Sequence, residues 1–203
     1  DTGLYFNAGS DAVHPWNISS NAARDDAIDL GRSSDRFDDI YATNSSIQTS
    51  DENEKQNIAS LTSAEITAAT AISKLFKTYK WKDKVASKGN DARTHTGVIA
   101  QQVQTAMSDA GLDASKYAFW CSNTWWEKEV EVAAVEANEE KLIKAQDAYT
   151  RTDTYYTKDE APEGATERTR MGVRYPELLA FIGAATEQRL ASVEDRLTTL
   201  EAQ

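Results

Sequence analysis

Thr49-Ser50-Asp51-Glu52-Asn53-Glu54-Lys55-Gln56-Asn57-Ile58 divides the chain into two parts of different character. Before it, Gly, Ser, Asn and Asp dominate and apolar residues are thinly spread. After it come amphipathic segments, clustered aromatics and a helix-patterned C-terminus. By residue type alone the stretch reads as a helix start. A Ser or Thr side chain caps free backbone N–H groups, early acids suit the positive end of the helix dipole, and Thr49 with Glu52 fits a capping box. Lys55 stands five residues after Ser50, off its face of a regular helix, where neighbours are three or four apart. A contact between these two therefore requires a turn or an irregular segment in between.

Composition narrows the function classes. The 203 residues suffice for one domain or two small ones. The net charge of −11 and a pI near 4.7 argue against nucleic acid as a partner, since no basic stripe offsets the acids. A single cysteine, Cys121, excludes an internal disulfide and a Cys-based metal cluster. The two histidines, His14 and His95, lie far apart, so neither a metal site nor a cofactor is expected. No apolar run approaches the roughly 20 residues of a membrane span, and no basic-then-apolar leader opens the sequence, so a membrane partner is not expected. The chain begins inside patterned sequence, as a fragment of something longer would.

Residues 1–49 hold apolar side chains too few and too scattered to offset the ordering entropy of a lone chain. Leu4, Phe6, Trp16, Ile28, Phe37 and Ile47 are typical of their spacing. Ala27-Ile28-Asp29-Leu30 and Asp39-Ile40-Tyr41-Ala42 alternate and predict brief strands. Strands of this kind become stable only where further strands cover their apolar faces.

Beyond residue 58 the periodicity changes. Thr62-Ser63-Ala64-Glu65 is a capping box, and Ile66, Ala69, Ile72 and Phe76 follow at helical spacing. Lys77–Lys82 alternates as a strand with Tyr79 and Trp81 on one side, and Lys84–Asp91 is a polar loop. His95–Val103 predicts a strand running into a helix that stops near Gly111. Tyr117–Cys121 predicts a buried strand with Cys121 as a core thiol; nothing nearby would make it a nucleophile. Trp125–Val135 alternates weakly, Glu139–Tyr149 is helix-like, and residues 122–171 together are expected as an extended projection, with a disordered loop as the alternative. From Pro176 to the end a helix is expected, with Pro at an acceptable first-turn position. Leu179, Ile182, Thr186, Leu190, Val193, Leu197 and Leu200 form a stripe that settles into the spacing of a short coiled coil.

Four segments carry a resemblance. Ser50, Asp51, Lys55, Asn57 and Ile58 match a pattern S-D-x-x-x-K-x-N-I that resembles the start of a known domain. It is the self-cleaving intramolecular chaperone at the C-terminus of phage tailspikes and tail fibres, endosialidases among them. His95–Val103 resembles that family's H-x-G-V-I-A-Q-x-V segment, and Gly172–Leu178 resembles a further one. Leu30–Tyr41 is similar to the segment that precedes the cleavage site in many tail fibres. The resemblance implies an α+β chain in which an N-terminal intertwined trimeric β stalk, residues 1–49, precedes a mixed α/β chaperone, residues 50–203, ending in a coiled-coil helix, 176–203. It implies a homotrimer acting on the stalk of its own fibre. The stalk would belong to the phage virion; the chaperone would be made in the bacterial host cytoplasm and released after cleavage. It implies a Ser50–Lys55 dyad that cuts Thr49–Ser50, with His95 and Asp51 as accessory candidates and no cofactor. Two other readings stand beside it: a non-cleaving trimerisation cap in which Ser50 only caps a helix, and a receptor-binding tip that holds a sugar on exposed Trp125 and Trp126.

The implied chemistry sets a condition. The Ser50 hydroxyl would attack its own preceding carbonyl, with a neutral lysine taking its proton. An ordinary lysine titrates at about 10.4, about three pH units too high for a base at neutrality, a gap of about 4 kcal/mol. Asp51, Glu52 and Glu54 favour the charged form, so burial of the amine must outweigh them.

Overall fold

Asn7 and Asn17 fold the N-terminal chain back on itself. The Asn7 side-chain oxygen accepts the Gly9 N–H at 2.9 Å, and that of Asn17 accepts the Ser19 N–H at 3.0 Å. Four residues after each, Asp11 and Asn21 take φ of 50° and 51°, the left-handed conformation that Asp and Asn tolerate best. The two turns join β1 (Gly3–Asn7), β2 (Ala12–Asn17) and β3 (Ala22–Ala23) into an antiparallel sheet of order β1-β2-β3. Tyr5 lies opposite His14, and the Tyr5 and Trp16 rings stack 4.6 Å apart. Alternation sends Leu4, Phe6 and Val13 to the other face, where all three are exposed.

A computed structural model describes residues 2–32, 34–37, 40, 49–136 and 144–202. It divides the chain into two units, Asp1–Ile47 and Gln48–Gln203. Ala27–Leu30, expected as a strand, has no ladder partner among the described residues. Positive φ at Asp26 (47°) and Gly31 (86°) bends the chain at both its ends, and four alternating residues without a neighbour to bond have no strand to join. The companion run Asp39–Ala42 lies outside the described residues except for Ile40, as does Ile47.

In the second unit, α1 (Ser63–Ile72) starts at the expected capping box: Thr62 Oγ1 accepts the Glu65 N–H, and the Glu65 carboxylate accepts the Thr62 N–H at 2.7 Å. β4 (Lys77–Tyr79) pairs antiparallel with β5 (His95–Gly97). Between them the expected loop is a helix, α2 (Lys82–Lys88), with Trp81 as its N-cap and Gly89 (φ +56°) ending it. Six of its seven residues are polar or small, which leaves no apolar period to read, although Lys and Ala are good helix formers. α3 (Ala100–Asp109) stops as expected: Gly111 takes φ +77° and the Leu112 N–H closes on the Met107 carbonyl at 2.9 Å.

The interval 122–171 holds an antiparallel sheet of order β7-β6-β8. Its centre is β6 (Trp120–Val132), flanked by β7 (Tyr149–Tyr155) and β8 (Thr166–Val173). β8 pairs with Trp120–Glu127 and β7 with Trp126–Val132, so three strands lie side by side only at Trp126 and Glu127. The strand expected from Tyr117 therefore begins at Trp120, which is buried; alternation turns Cys121 away from the core, half-buried rather than enclosed. The described part of Glu139–Tyr149 is not helical. Gln146 bridges to Val135 and Tyr149 opens β7, while residues 137–143 lie outside the described set.

α4 (Tyr175–Glu201) closes the unit. Leu178, Phe181 and Ala185 form its buried stripe and pack with Ala68, Ala69 and Ile72 of α1, Val103 and Met107 of α3, and the aromatic pair Phe119 and Trp120. Most of the stripe anticipated from sequence lies on a different face, although its Ile182 packs against the core. Leu179, Leu190, Val193, Leu197 and Leu200 are between 48% and 62% exposed, whereas Leu178 is fully buried.

Candidate functional site

Ser50 and Lys55 meet through a single tight turn. Glu52–Glu54 form one turn of 3-10 helix, whose i-to-i+3 bonding is tighter than that of an α-helix. The Glu54 N–H bonds to the Asp51 carbonyl at 3.3 Å and the Lys55 N–H to the Glu52 carbonyl at 3.1 Å. Lys55 then leaves in an extended conformation (φ −116°, ψ 148°), and its Nζ donates to Ser50 Oγ at 2.6 Å. Both side chains are exposed to water in the single chain.

The cap of this turn is Asp51, not Thr49 or Ser50. Its backbone is extended (φ −71°, ψ 137°), and Oδ1 accepts both the backbone N–H and the side-chain Nδ2–H of Asn53, each at 2.9 Å. The Asn53 backbone N–H, then its side chain, hold the Asp51 carboxyl below the usual aspartate range. With the cap taken over by its neighbour, Ser50 keeps its hydroxyl free for Lys55. The expected capping box of Thr49 and Glu52 does not form, because the chain turns two residues later than that box requires.

His95 is the first residue of β5, its ring stacked on Tyr79 at 5.7 Å and edge-on to Trp81 at 6.3 Å. Among the described residues no hydrogen bond links it to Ser50 or Lys55. Beside it, Gly97 is required by close approach: a methyl group there would run into the Tyr175 hydroxyl, which accepts the Val98 N–H at 3.1 Å. Trp120 Nε1 likewise donates to the Ala100 carbonyl at 3.0 Å. The segments His95–Val103 and Gly172–Leu178 thus meet around the first residue of α4. The pairing between them was not readable from either alone.

Trp125 is buried rather than exposed. Its indole N–H donates to Glu127 at 2.7 Å, and the Arg170 guanidinium lies 5.1 Å from its ring centroid. A sugar could not stack on a face that Arg170 already covers, which removes one of the two aromatic residues on which the receptor-tip reading relied.

Residues 50–112 match the protein-family model described as chaperone of endosialidase. These residues belong to the chaperone-of-endosialidase family. The match begins at the serine that carries the Lys55 contact. The family's wider setting is visible in the relatives. The chain is 32% identical over 186 residues to the side tail fiber protein pb1 of Escherichia phage T5, covering 90% of this chain and 12% of that protein. It is 35% identical over 167 residues to a probable tail spike protein of Klebsiella phage 0507-KN2-1, covering 77% of this chain and again 12% of the relative. Among solved structures, one similar chain is the carboxy-terminal domain of the bacteriophage T5 L-shaped tail fiber with its intramolecular chaperone domain. The TM-score is 0.67 at 27% identity, covering 97% of this chain and 44% of that one. The chaperone-of-endosialidase segment therefore lies in a chain that spans about an eighth of the length of its relatives.

Proposed function

We propose that residues 50–203 are an intramolecular chaperone that assembles a phage fibre as a homotrimer, residues 1–49 being the end of its stalk, and then cuts itself free between Thr49 and Ser50. The observation that carries the reading is the 2.6 Å contact from Lys55 Nζ to Ser50 Oγ at the first residue of the family match. In the cut, Ser50 Oγ attacks the Thr49 carbonyl carbon and its proton passes to neutral Lys55. The C–N bond to Ser50 breaks, and Lys55 returns the proton to the departing nitrogen. The resulting ester between Thr49 and Ser50 Oγ is hydrolysed by water, leaving a carboxylate on Thr49 and a free amine on Ser50. Nucleophile and target are covalent neighbours, so proximity is built in and no substrate needs to be bound.

Assembly supplies what the lone chain lacks. Lys55 is exposed in the single chain, and an ammonium in water is no base; desolvation favours the neutral amine. The exposed apolar stripe of α4 supports a second and third copy as the covering surface, since a helix face of that kind is otherwise left to water. Cleavage is thereby deferred until the copies have met. The stalk would remain with the virion and the chaperone would be released.

A denaturing mass measurement on the recombinant chain tests the reading. Two fragments, 1–49 and 50–203, are expected from the natural sequence and one intact chain from Ser50→Ala. An intact natural chain under conditions where it has assembled would leave a non-cleaving cap.

A further inference from the structure

Outside the two reacting side chains, the segment between them is the most informative part of the site. Five residues of extended chain would carry Lys55 about 16 Å from Ser50, and a regular helix would set it on another face. The two meet because the chain turns at Glu52–Glu54, and Asp51 starts that turn with its carboxylate on Asn53 and its carbonyl on Glu54.

We propose that Asp51 and Asn53 are positioning residues for the cut: Asn53 holds the Asp51 carboxylate as the cap of the turn that returns Lys55 to Ser50, and that carboxylate takes no part in proton transfer. This rests on the autoproteolytic reading above and refines it. Three carboxylates stand within four residues of Lys55, yet its Nζ donates to Ser50 Oγ, and among the described residues no ion pair joins it to any of them. A counter-ion on Lys55 would hold it charged and unable to accept a proton. Engaging Asp51 Oδ1 twice with Asn53 both builds the turn and draws one of those carboxylates away from that role. A cap is a matter of hydrogen-bond acceptance, in which Asn serves as well as Asp and Ala does not serve. A general acid or base is a matter of titration, in which Asn cannot replace Asp.

The two requirements separate in four full-length chains followed by mass against time: natural sequence, Asp51→Asn, Asp51→Ala and Asn53→Ala. Asp51→Asn is expected to cut within about three-fold of the natural rate and Asp51→Ala at least about ten-fold more slowly, as loss of a cap implies. Asn53→Ala should fall between them, because its backbone N–H still reaches Asp51. An Asp51→Asn chain as slow as Asp51→Ala would show that the charge itself is used and would overturn the proposal. So would Asp51→Ala cutting at the natural rate. Each change is also made in the Ser50→Ala background, where light scattering reports assembly; if Asp51→Ala does not assemble, the comparison of Asp51→Asn with the natural chain decides. If the natural chain itself stays whole, the dyad reading has failed. The cap is then judged by carbon NMR of the Asp51 carboxyl, which should titrate below the ordinary range and move upward in Asn53→Ala. An ordinary titration with Asn53 present would overturn the cap.

Discussion

Glu65 joins two parts of the chain that lie far apart in sequence. One carboxylate oxygen takes the N–H and the hydroxyl of Thr62, both at 2.7 Å, and the other accepts the Tyr117 hydroxyl at 2.9 Å. The Thr62 N–H, then its hydroxyl, lower the Glu65 pKa, so this group stabilises the fold above its unfolded value of about 4.5 and ceases to do so as pH falls through the folded one. Tyr117 behaves oppositely. Burial first, and the Glu65 partner second, push its pKa up to about 12. Its contribution is complete below about 10 and is lost as pH rises towards 12. Urea titrations across pH should therefore show Tyr117→Phe costing about 1 kcal/mol at neutrality and losing the alkaline slope between 10 and 12. At the cut itself, Lys55→Ala should leave the chain whole, and so should Lys55→Arg, since a guanidinium does not give up its proton in this range. Continued cleavage in either, read by mass, would remove Lys55 from the reaction. The Ser50–Lys55 pair came into view only through the family resemblance carried by Ser50, Asp51, Lys55, Asn57 and Ile58; spacing alone read the stretch as a helix start. Asp51 as the cap was not: Thr, Ser and Asp stand in a row, all three are good caps, and only the backbone angles choose among them.

Elements read well from sequence where their signals were local. The Thr62 box, the Gly111 stop and the long C-terminal helix depend on residues within one or two turns. The β7-β6-β8 sheet could not be assembled from sequence because its partners are remote: the hydroxyls of Thr124 and Thr169, 45 residues apart, meet at 3.0 Å, and neither strand alternates cleanly. Within α4 the apolar period was legible but its division into two faces was not, since that depends on which side α1 and α3 cover. The division is testable. Leu178→Ala should cost about 2–5 kcal/mol in each chain, as a cavity in a packed core does. Leu190→Asp with Leu197→Asp should leave each chain folded by circular dichroism and prevent assembly. If the double variant still sediments as a trimer and cuts normally, the outer face of α4 is not what brings copies together.

At the level of the whole molecule, the proposed cleavage would change what keeps the stalk together. Joined to its chaperone, the fibre end can unfold and refold along one route. On the proposed reading, refolding would have no guide after the cut and departure of residues 50–203, and interlocked strands would persist through a high unfolding barrier. The cut stalk should stay trimeric in heat and detergent, and should not reassemble once forced apart. Ser50→Ala protein, diluted from denaturant, should recover trimer at least in part. Equal recovery of the two, measured by gel and light scattering, would reduce residues 50–203 to a stabilising cap.

The bare outer face of α4 also gives the cut a kinetic order. An intramolecular reaction with a ready-made site runs at one half-time however dilute the protein. In the proposed reaction the nucleophile and base are already in contact and the missing ingredient is other copies, so the half-time would become a reading of how many chains share the solution. Below the concentration at which copies associate, it should lengthen steeply with each dilution; above it, the curve should flatten to the rate of the assembled form. A chain that cuts in this way would behave as a counter, converting abundance into a covalent record. A half-time that stays level across a hundred-fold dilution into the monomer range, in chains newly released from denaturant, would mean that one chain suffices.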